Sequence, residues 1–250
     1  AYEMLTSLVG SEMCIRDSGD DSPDRRSRGS RAVTDTSTLV STPRPTLTYR
    51  LVSGLLVFPV FRGLFRGSTV GLGNVPMQGP LVVVANHGSH LDPLILGHAL
   101  GRPVAFMAKA ELFDIPLLGS VIRGCGAYPV RRGASDREAI RTATACLEGG
   151  SATGVFLDGT RQADGRVNHP LPGAALLSAR SGAPLLPVAI LNSHRALGSK
   201  QIWPRLVPIQ LRVGTPMPPP ASRRRPDLDA TTAALQERIN DLLDQGLQRP

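Results

Sequence analysis

The sequence predicts an α/β fold: one domain with a central mixed, largely parallel sheet flanked by helices, an N-terminal interfacial helix and a C-terminal helix. Three observations predict it. Apolar runs of strand length recur at Leu81–Ala85, Pro103–Met107, Ala127–Val130, Gly154–Leu157, Leu185–Leu191 and Val207–Val213. Helical patterns lie between them, the alternation that gives a sheet covered by helices. The 250 residues suit one domain with appendages, able to bury about 70% of the surface its unfolded chain exposes.

Taken in order, residues 1–18 stand apart. The string Gly10-Ser11-Glu12-Met13-Cys14-Ile15-Arg16-Asp17-Ser18 resembles translated sequencing-adapter read-through and is excluded from fold reasoning. Residues 19–45 are rich in Asp, Arg, Ser, Thr, Gly and Pro, with too few large apolar side chains to offset ordering entropy, and are expected to be disordered. Residues 46–67 hold an apolar stretch from Leu51 to Phe61, flanked by Arg50, Arg62 and Arg66. Pro59 interrupts it, and it falls short of the about 20 apolar residues a membrane span needs. The expected form is a helix in the membrane interface, apolar side among acyl chains and Arg on phosphates. A helix packed on the domain's own core is the alternative.

The main domain is expected over residues 68–216. Its clearest helix is Asp136–Leu147, with Ser135 three residues before Glu138 as a capping box and Gly149-Gly150 as the stop. Another runs from Gly173 to Arg180. Pro216-Met217-Pro218-Pro219-Pro220 reads as a stiff linker. Residues 217–250 end in an amphipathic helix with Leu228, Leu235, Ile239, Leu242 and Leu243 on one side.

The net charge is +8, almost all of it from Arg, since Lys109 and Lys200 are the only lysines. That balance suits an acidic partner: nucleic acid, anionic lipid headgroups or a phosphorylated substrate. A base-composition bias towards Arg codons explains it equally well. Aromatics make up 4% of the chain and are not interleaved with the Arg, which argues against single-stranded nucleic acid. Cys14, Cys125 and Cys146 form no C-x-x-C pair, so a reducing compartment is expected and no disulfide framework.

Chemistry concentrates where apolar runs end. Asn86-His87-Gly88-Ser89-His90-Leu91-Asp92 directly follows Leu81–Ala85. A His and an Asp at this spacing make a plausible general base with a carboxylate to orient it, because imidazole takes a proton well when its other ring nitrogen is held. Asp92 before Pro93 also fits a helix start, Asp as N-cap and Pro as first helical residue. His87, His90 and Asp92 as metal ligands are a third reading, without an evident further ligand. Two further runs end in guanidiniums: Gly126-Ala127-Tyr128-Pro129-Val130-Arg131-Arg132 and Phe156-Leu157-Asp158-Gly159-Thr160-Arg161. Strand ends of an α/β sheet converge on one crevice, so His87, Arg132 and Arg161 are placed to face a common ligand. Forked guanidinium donors suit phosphate. His98, His169 and His194 lack an acidic partner at useful spacing and are expected to be structural, Cys125 and Cys146 to be small buried hydrophobes, and Arg131 and Arg223-Arg224-Arg225 to be solvated.

Four blocks in this order and spacing carry a family resemblance. Asn86-His87-x-x-x-x-Asp92, Gly126-x-x-Pro129-Val130-x-Arg132, Phe156-Leu157-Asp158-Gly159-Thr160-Arg161 and Pro184-x-x-Pro187 resemble the glycerolipid acyltransferases, more closely the bacterial 1-acylglycerol-3-phosphate acyltransferases. Phe106-Met107-Ala108-Lys109-Ala110-Glu111-Leu112-Phe113 also fits that family. The resemblance implies acyl transfer from a thioester to the free hydroxyl of lysophosphatidate, or a related lysophospholipid. His87 would remove the proton and Asp92 would hold the imidazole tautomer, without a covalent acyl-enzyme. Arg132, Arg161 and Lys109 would hold the phosphate. Gly159 would let the backbone approach the ligand, Thr160 would donate to it, and Asp158 supplies the carboxylate of the third block. No metal or cofactor is implied beyond acyl-CoA or acyl-acyl carrier protein as cosubstrate. The implied partners are the lysophospholipid, the acyl donor and an anionic phospholipid surface, with no nucleic acid. The implied site is the cytoplasmic face of the membrane, bound peripherally or monotopically.

One departure stands out. The third block usually reads Phe-Pro-Glu-Gly-Thr-Arg, whereas Leu157 and Asp158 stand here, and the shorter carboxylate puts the identity of the acceptor in question. The rival readings are a non-catalytic phospholipid-surface binding module and a metal-dependent hydrolase.

Overall fold

The computed structural model describes residues 46–130, 136–198 and 203–247. The adapter-like string, the 19–45 stretch, Ser135 of the expected capping box and Arg132 lie outside the described residues. In chain order the strands are β1 (Ser68–Val70), β2 (Leu81–Ala85), β3 (Val104–Ala105), β4 (Met107–Lys109), β5 (Tyr128–Val130), β6 (Ala152–Phe156), β7 (Leu185–Leu191) and β8 (Gln210–Val213). The helices are α1 (Leu47–Leu64), α2 (Asp92–Ala99), α3 (Leu118–Gly124), α4 (Asp136–Glu148), α5 (Gly173–Ser181), α6 (Ser193–Leu197) and α7 (Arg225–Leu247).

The central sheet is mixed and largely parallel, in the order β1-β8-β7-β2-β6-β3. β2 lies between β6 and β7, parallel to both, with Ala85 in register with Phe156 and Val188. Its five apolar residues are all buried, as a strand covered on both faces requires. Period-two alternation divides them. Val82 and Val84 join a cluster containing Ala143 and Leu147 of α4, Leu177 of α5 and Leu235 and Ile239 of α7. Leu81, Val83 and Ala85 join another containing Phe61 of α1 and Ile95 and Leu96 of α2. β8 runs antiparallel to β7, and β1 parallel to β8. Because β2, β6 and β7 point the same way, their carboxyl ends open on one edge of the sheet, where a ligand crevice forms in open α/β sheets.

Several expected elements differ. The run Pro103–Met107 splits: β3 joins the central sheet, while β4 turns away and pairs in parallel with β5 as a separate two-stranded sheet. The break falls at Phe106, whose ring lies over Gly154 where an added Cβ would come within 2.1 Å of it. β8 starts at Gln210 rather than Val207, after Pro208, which has no N–H for the ladder. Ser68–Val70 is a strand that sequence reading missed, three half-exposed residues with no apolar run to mark them.

α1 departs from the expectation that Pro59 interrupts it. It is one helix of 18 residues, long and apolar enough to cross a membrane by length and composition. Around Pro59 the bonding steps out to i→i−5, with Phe58 N donating to Ser53 O and Phe65 N to Val60 O. That register leaves room for a residue that cannot donate. Tyr49, Val57 and Phe61 pack inward, while Leu47, Leu51, Leu55, Leu56 and Phe58 stay exposed.

At the other end, Met217 pairs with Leu185 through two backbone bonds, Met217 N to Leu185 O at 2.7 Å and Leu185 N to Met217 O at 2.9 Å. The proline-rich segment is thus docked on the start of β7 by a buried side chain. α7 buries Leu228, Thr232, Leu235, Ile239 and Leu243, and Leu242 is half-buried.

Candidate active site

The site begins where β2 gives out. Asn86 is fully buried and knits that end together: its Nδ2 donates to Gly165 O (2.7 Å) and Ile190 O (3.0 Å), and its Oδ1 accepts from Ile190 N (2.8 Å). One amide side chain therefore ties β2 to β7 and to the loop after β6. His87 follows, and Gln162 N donates to its carbonyl at 2.7 Å.

His87 Nδ1 lies 2.9 Å from Asp92 Oδ2. A carboxylate can only accept here, so Nδ1 carries the hydrogen and Nε2 presents the lone pair. Among the described residues Nε2 has no hydrogen-bond partner. Oδ2 also accepts from Gly88 N and Ser89 N, both at 2.8 Å. The carboxylate thus reaches backwards over the turn to residues 87–89. The expected N-cap is not seen: α2 starts at Asp92, and its cap position, Leu91, has no side-chain bond. His87 is 4% exposed, and its ring stacks on Phe156 at 4.0 Å and 15°.

The turn is held from behind. Ser89 Oγ donates to Leu197 O of α6 at 2.8 Å, and His194 fills the space left by two glycines. A Cβ on Gly88 would meet His194 Cβ at 2.8 Å, and one on Gly165 would meet His194 Nδ1 at 2.4 Å. Sequence spacing gave no sign of these contacts, since they join segments that meet only through the sheet.

Block three follows β6. Gly159 adopts φ 68°, the left-handed turn that glycine supplies cheaply. Asp158 is 4% exposed, and its Oδ1 accepts from Asn168 N (3.1 Å) and His169 N (2.6 Å). Burial pushes its carboxyl pKa up, opposed by those two amides. Its Oδ2 is buried without a partner among the described residues. Thr160 Oγ1 is 3.4 Å from Gln162 Nε2. Arg161 turns towards the His87 loop, its Nη1 lying against the His90 ring. Burial first, then the Arg161 charge and the His87 ring, push the His90 imidazole down to about 4, with Asp92 opposing.

The structure therefore brings His87, Asp92 and block three to one sheet edge. Lys109 closes β4 in register with Val130 of β5. Arg132 follows two residues later, outside the described residues. No group of three or more His, Cys, Asp or Glu side chains converges among the described residues, so the metal reading finds no ligand set there. Cys125 and Cys146 are half-buried and free, their thiol pKa values pushed up by burial.

A His–Asp dyad thus stands at the carboxyl end of a parallel strand, beside a guanidinium. A family model described as Acyltransferase matches residues 68–191. The 1-acyl-sn-glycerol-3-phosphate acyltransferase of Bacillus subtilis is 31% identical over 180 residues, 69% of this chain and 87% of that protein. The chloroplastic 1-acyl-sn-glycerol-3-phosphate acyltransferase BAT2 of Brassica napus is 28% identical over 152 residues, 59% of this chain and 42% of that one. The chain thus spans less than half the length of this plant relative. The crystal structure of the 1-acyl-sn-glycerophosphate (LPA) acyltransferase PlsC from Thermotoga maritima superimposes with a TM-score of 0.65 at 28% identity, covering 81% of each chain. The chain belongs to the acyltransferase family, and these relatives are all named as acyltransferases of 1-acylglycerol phosphate.

Proposed function

We propose that the protein transfers an acyl chain from a thioester to the free hydroxyl of lysophosphatidate, giving phosphatidate. The single observation that carries the reading is the His87–Asp92 pair, 2.9 Å apart and buried at the sheet's carboxyl edge. His87 Nε2 removes the hydroxyl proton while Asp92 holds Nδ1–H and balances the imidazolium. The alkoxide attacks the thioester carbonyl, the tetrahedral intermediate collapses, and the departing thiolate takes the proton back from Nε2. No acyl-enzyme is needed: among the described residues, no Ser or Cys hydrogen-bonds His87 to serve as nucleophile. Arg161 binds the phosphate, Lys109 and Arg132 add to its charge there, and Gly159 and Thr160 line its approach. Asp158 acts from behind, fixing the 168–169 backbone.

The acyl donor is acyl-CoA or acyl-acyl carrier protein. The exposed apolar face of α1 rests in the interface of an anionic membrane, with the protein peripheral or monotopic on the cytoplasmic face. The test uses protein in detergent with EDTA, labelled acyl donor, and lysophosphatidate, lysophosphatidylglycerol or glycerol 3-phosphate as acceptor. Product from lysophosphatidate that is lost in His87→Ala supports the reading. Product from another acceptor alone moves the substrate, and liposome binding without transfer to any acceptor would favour the binding module.

A further inference from the structure

The carboxyl edge of the sheet carries an exposed apolar element besides α1. Trp203-Pro204-Arg205-Leu206 lies in the loop that leads into β8. β8 runs antiparallel to β7, so its first residues stand where β7 ends, at the edge that holds His87. α1 finishes there too, because β1 starts at Ser68 opposite Gln210, the first residue of β8. Backbone bonds tie the loop to both neighbours. Ile209 N donates to Phe65 O at 3.1 Å, just past α1, and Arg205 N donates to Ala196 O of α6 at 2.7 Å. Val207 packs against the cluster that contains Phe61 and Phe65.

This backbone is held, yet its large side chains are left in water. Trp203 is 82% exposed and Leu206 57%, and the neighbouring end of α1 exposes Phe58 and Leu64. Charge points to what covers them. Arg205 is exposed, as are Arg195 of α6 and Arg62 and Arg66 at the end of α1. The chain has no Asp or Glu between Asp35 and Asp92, or between Asp164 and Asp227, so both segments are free of carboxylates. An indole and aliphatic side chains among arginines match an anionic bilayer surface, where indole settles at headgroup level and guanidinium meets lipid phosphate. An acidic protein would answer to the arginines alone, whereas the apolar side chains continue the exposed face of α1.

We propose that the 203–206 loop is a second contact with an anionic lipid surface. A single interfacial helix leaves the domain free to roll about the helix axis. A second contact beside its end removes that freedom and turns the edge bearing His87 and Asp92 towards the lipid. This rests on the reading that α1 lies in the membrane interface.

Trp203 is the only tryptophan in the chain, so its fluorescence reports on this loop alone. The experiment titrates the full chain with vesicles of phosphatidylcholine and phosphatidylglycerol, with and without brominated acyl chains, and measures binding separately by co-sedimentation. The emission of Trp203 is expected to shift to the blue on binding and to be quenched by the brominated lipid. Trp203→Ala is expected to bind these vesicles about tenfold more weakly, the scale for burying one large apolar side chain, with an unchanged melting temperature. Arg205→Gln is expected to lose about fivefold on the anionic vesicles and little on pure phosphatidylcholine. The inference is overturned if the protein sediments with vesicles while Trp203 stays unshifted and unquenched, or if Trp203→Ala binds as wild type does. A blue shift produced by acyl carrier protein and not by vesicles would also overturn it, giving the loop to a protein partner. No sedimentation with any vesicle would overturn the α1 reading beneath it.

Discussion

The ring of Phe156 lies 4.0 Å from the ring of His87 and within 15° of parallel, so the last residue of β6 forms the floor on which the candidate base rests. The register of the sheet puts it there: Ala85, two residues before His87, is paired with Phe156. Phe106 stacks on Phe156 in turn, at 5.7 Å. Aromatic stacking of this kind contributes about 0.5–1.5 kcal/mol beyond the area it buries. Phe156→Ala is therefore expected to lower kcat by up to about tenfold through a looser imidazole. Phe156→Leu should lose less. Steady-state kinetics at matched folded fraction checks this, and an unchanged kcat in Phe156→Ala would remove the ring from the mechanism.

Asp92 carries three hydrogen bonds on one oxygen, and they act differently under substitution. Asp92→Asn keeps the shape but offers a neutral group that cannot balance an imidazolium. The loss expected in kcat is about three to four orders of magnitude, the scale seen when the orienting carboxylate of a histidine base is converted to its amide. A loss below tenfold, measured with saturating acceptor, would show that Asp92 is a loop clamp without a part in proton transfer.

Gly88 sits between the base and His194. An added Cβ would lie 2.8 Å from His194 Cβ and 3.3 Å from its Cα and backbone nitrogen. Backbone and Cβ cannot swing aside as a flexible side-chain end can, so Gly88→Ala must push the turn towards His87. The expected outcome is a folded protein with kcat reduced about tenfold or more, since small displacements of catalytic groups are costly. Full activity in that variant would show that α6 yields instead.

Asp158 gives a prediction of opposite sign to that of an ion-paired carboxylate. Its pKa is pushed up by burial, so the folded chain binds protons more readily than the unfolded one, and this residue adds stability as the pH falls. Asp158→Asn keeps an oxygen for Asn168 N and His169 N and removes the buried charge. Its melting temperature at pH 7 is expected to equal or exceed that of wild type. Asp158→Ala, which orphans both amides, is expected to cost about 1–3 kcal/mol. A large destabilisation in Asn, read by calorimetry, would mean that the charge itself is needed.

His98 points the other way. Burial pushes its imidazole down to about 4. An unfolded histidine titrates near 6.5, so between those values the unfolded chain binds more protons and stability falls as the pH is lowered from about 6.5 to about 4. His90 contributes with the same sign over the same window. The melting temperature should drop across that range, and His98→Leu should flatten part of the drop. Parallel curves for variant and wild type would exclude His98 as a contributor.

Much of this was readable in the chain. The run Leu81–Ala85 announces a doubly covered strand, and the four ordered blocks announce the dyad and the block-three turn, because each is a local pattern. What stayed hidden depends on distance in space. His90 and Arg161 are 71 residues apart, and nothing in either segment indicates that they touch. His194 has no acidic neighbour in sequence, and its role follows from the glycines that face it. The break at Phe106 was equally invisible, since a continuous apolar run says nothing of a ring that must lie over Gly154. Asp92 was ambiguous for a local reason, since N-cap and orienting carboxylate share one sequence signature, and only the direction of the side chain separates them.

α2 has a consequence for how the protein meets its substrate. Its first residue is Asp92, while near its other end Gly97 O accepts from Tyr49 Oη of α1 at 3.1 Å and His98 stacks on the Tyr49 ring at 4.7 Å. Eight residues of helix make a strut about 12 Å long. On the proposed membrane reading, with α1 among headgroups, that strut would set the distance between the headgroups and the dyad.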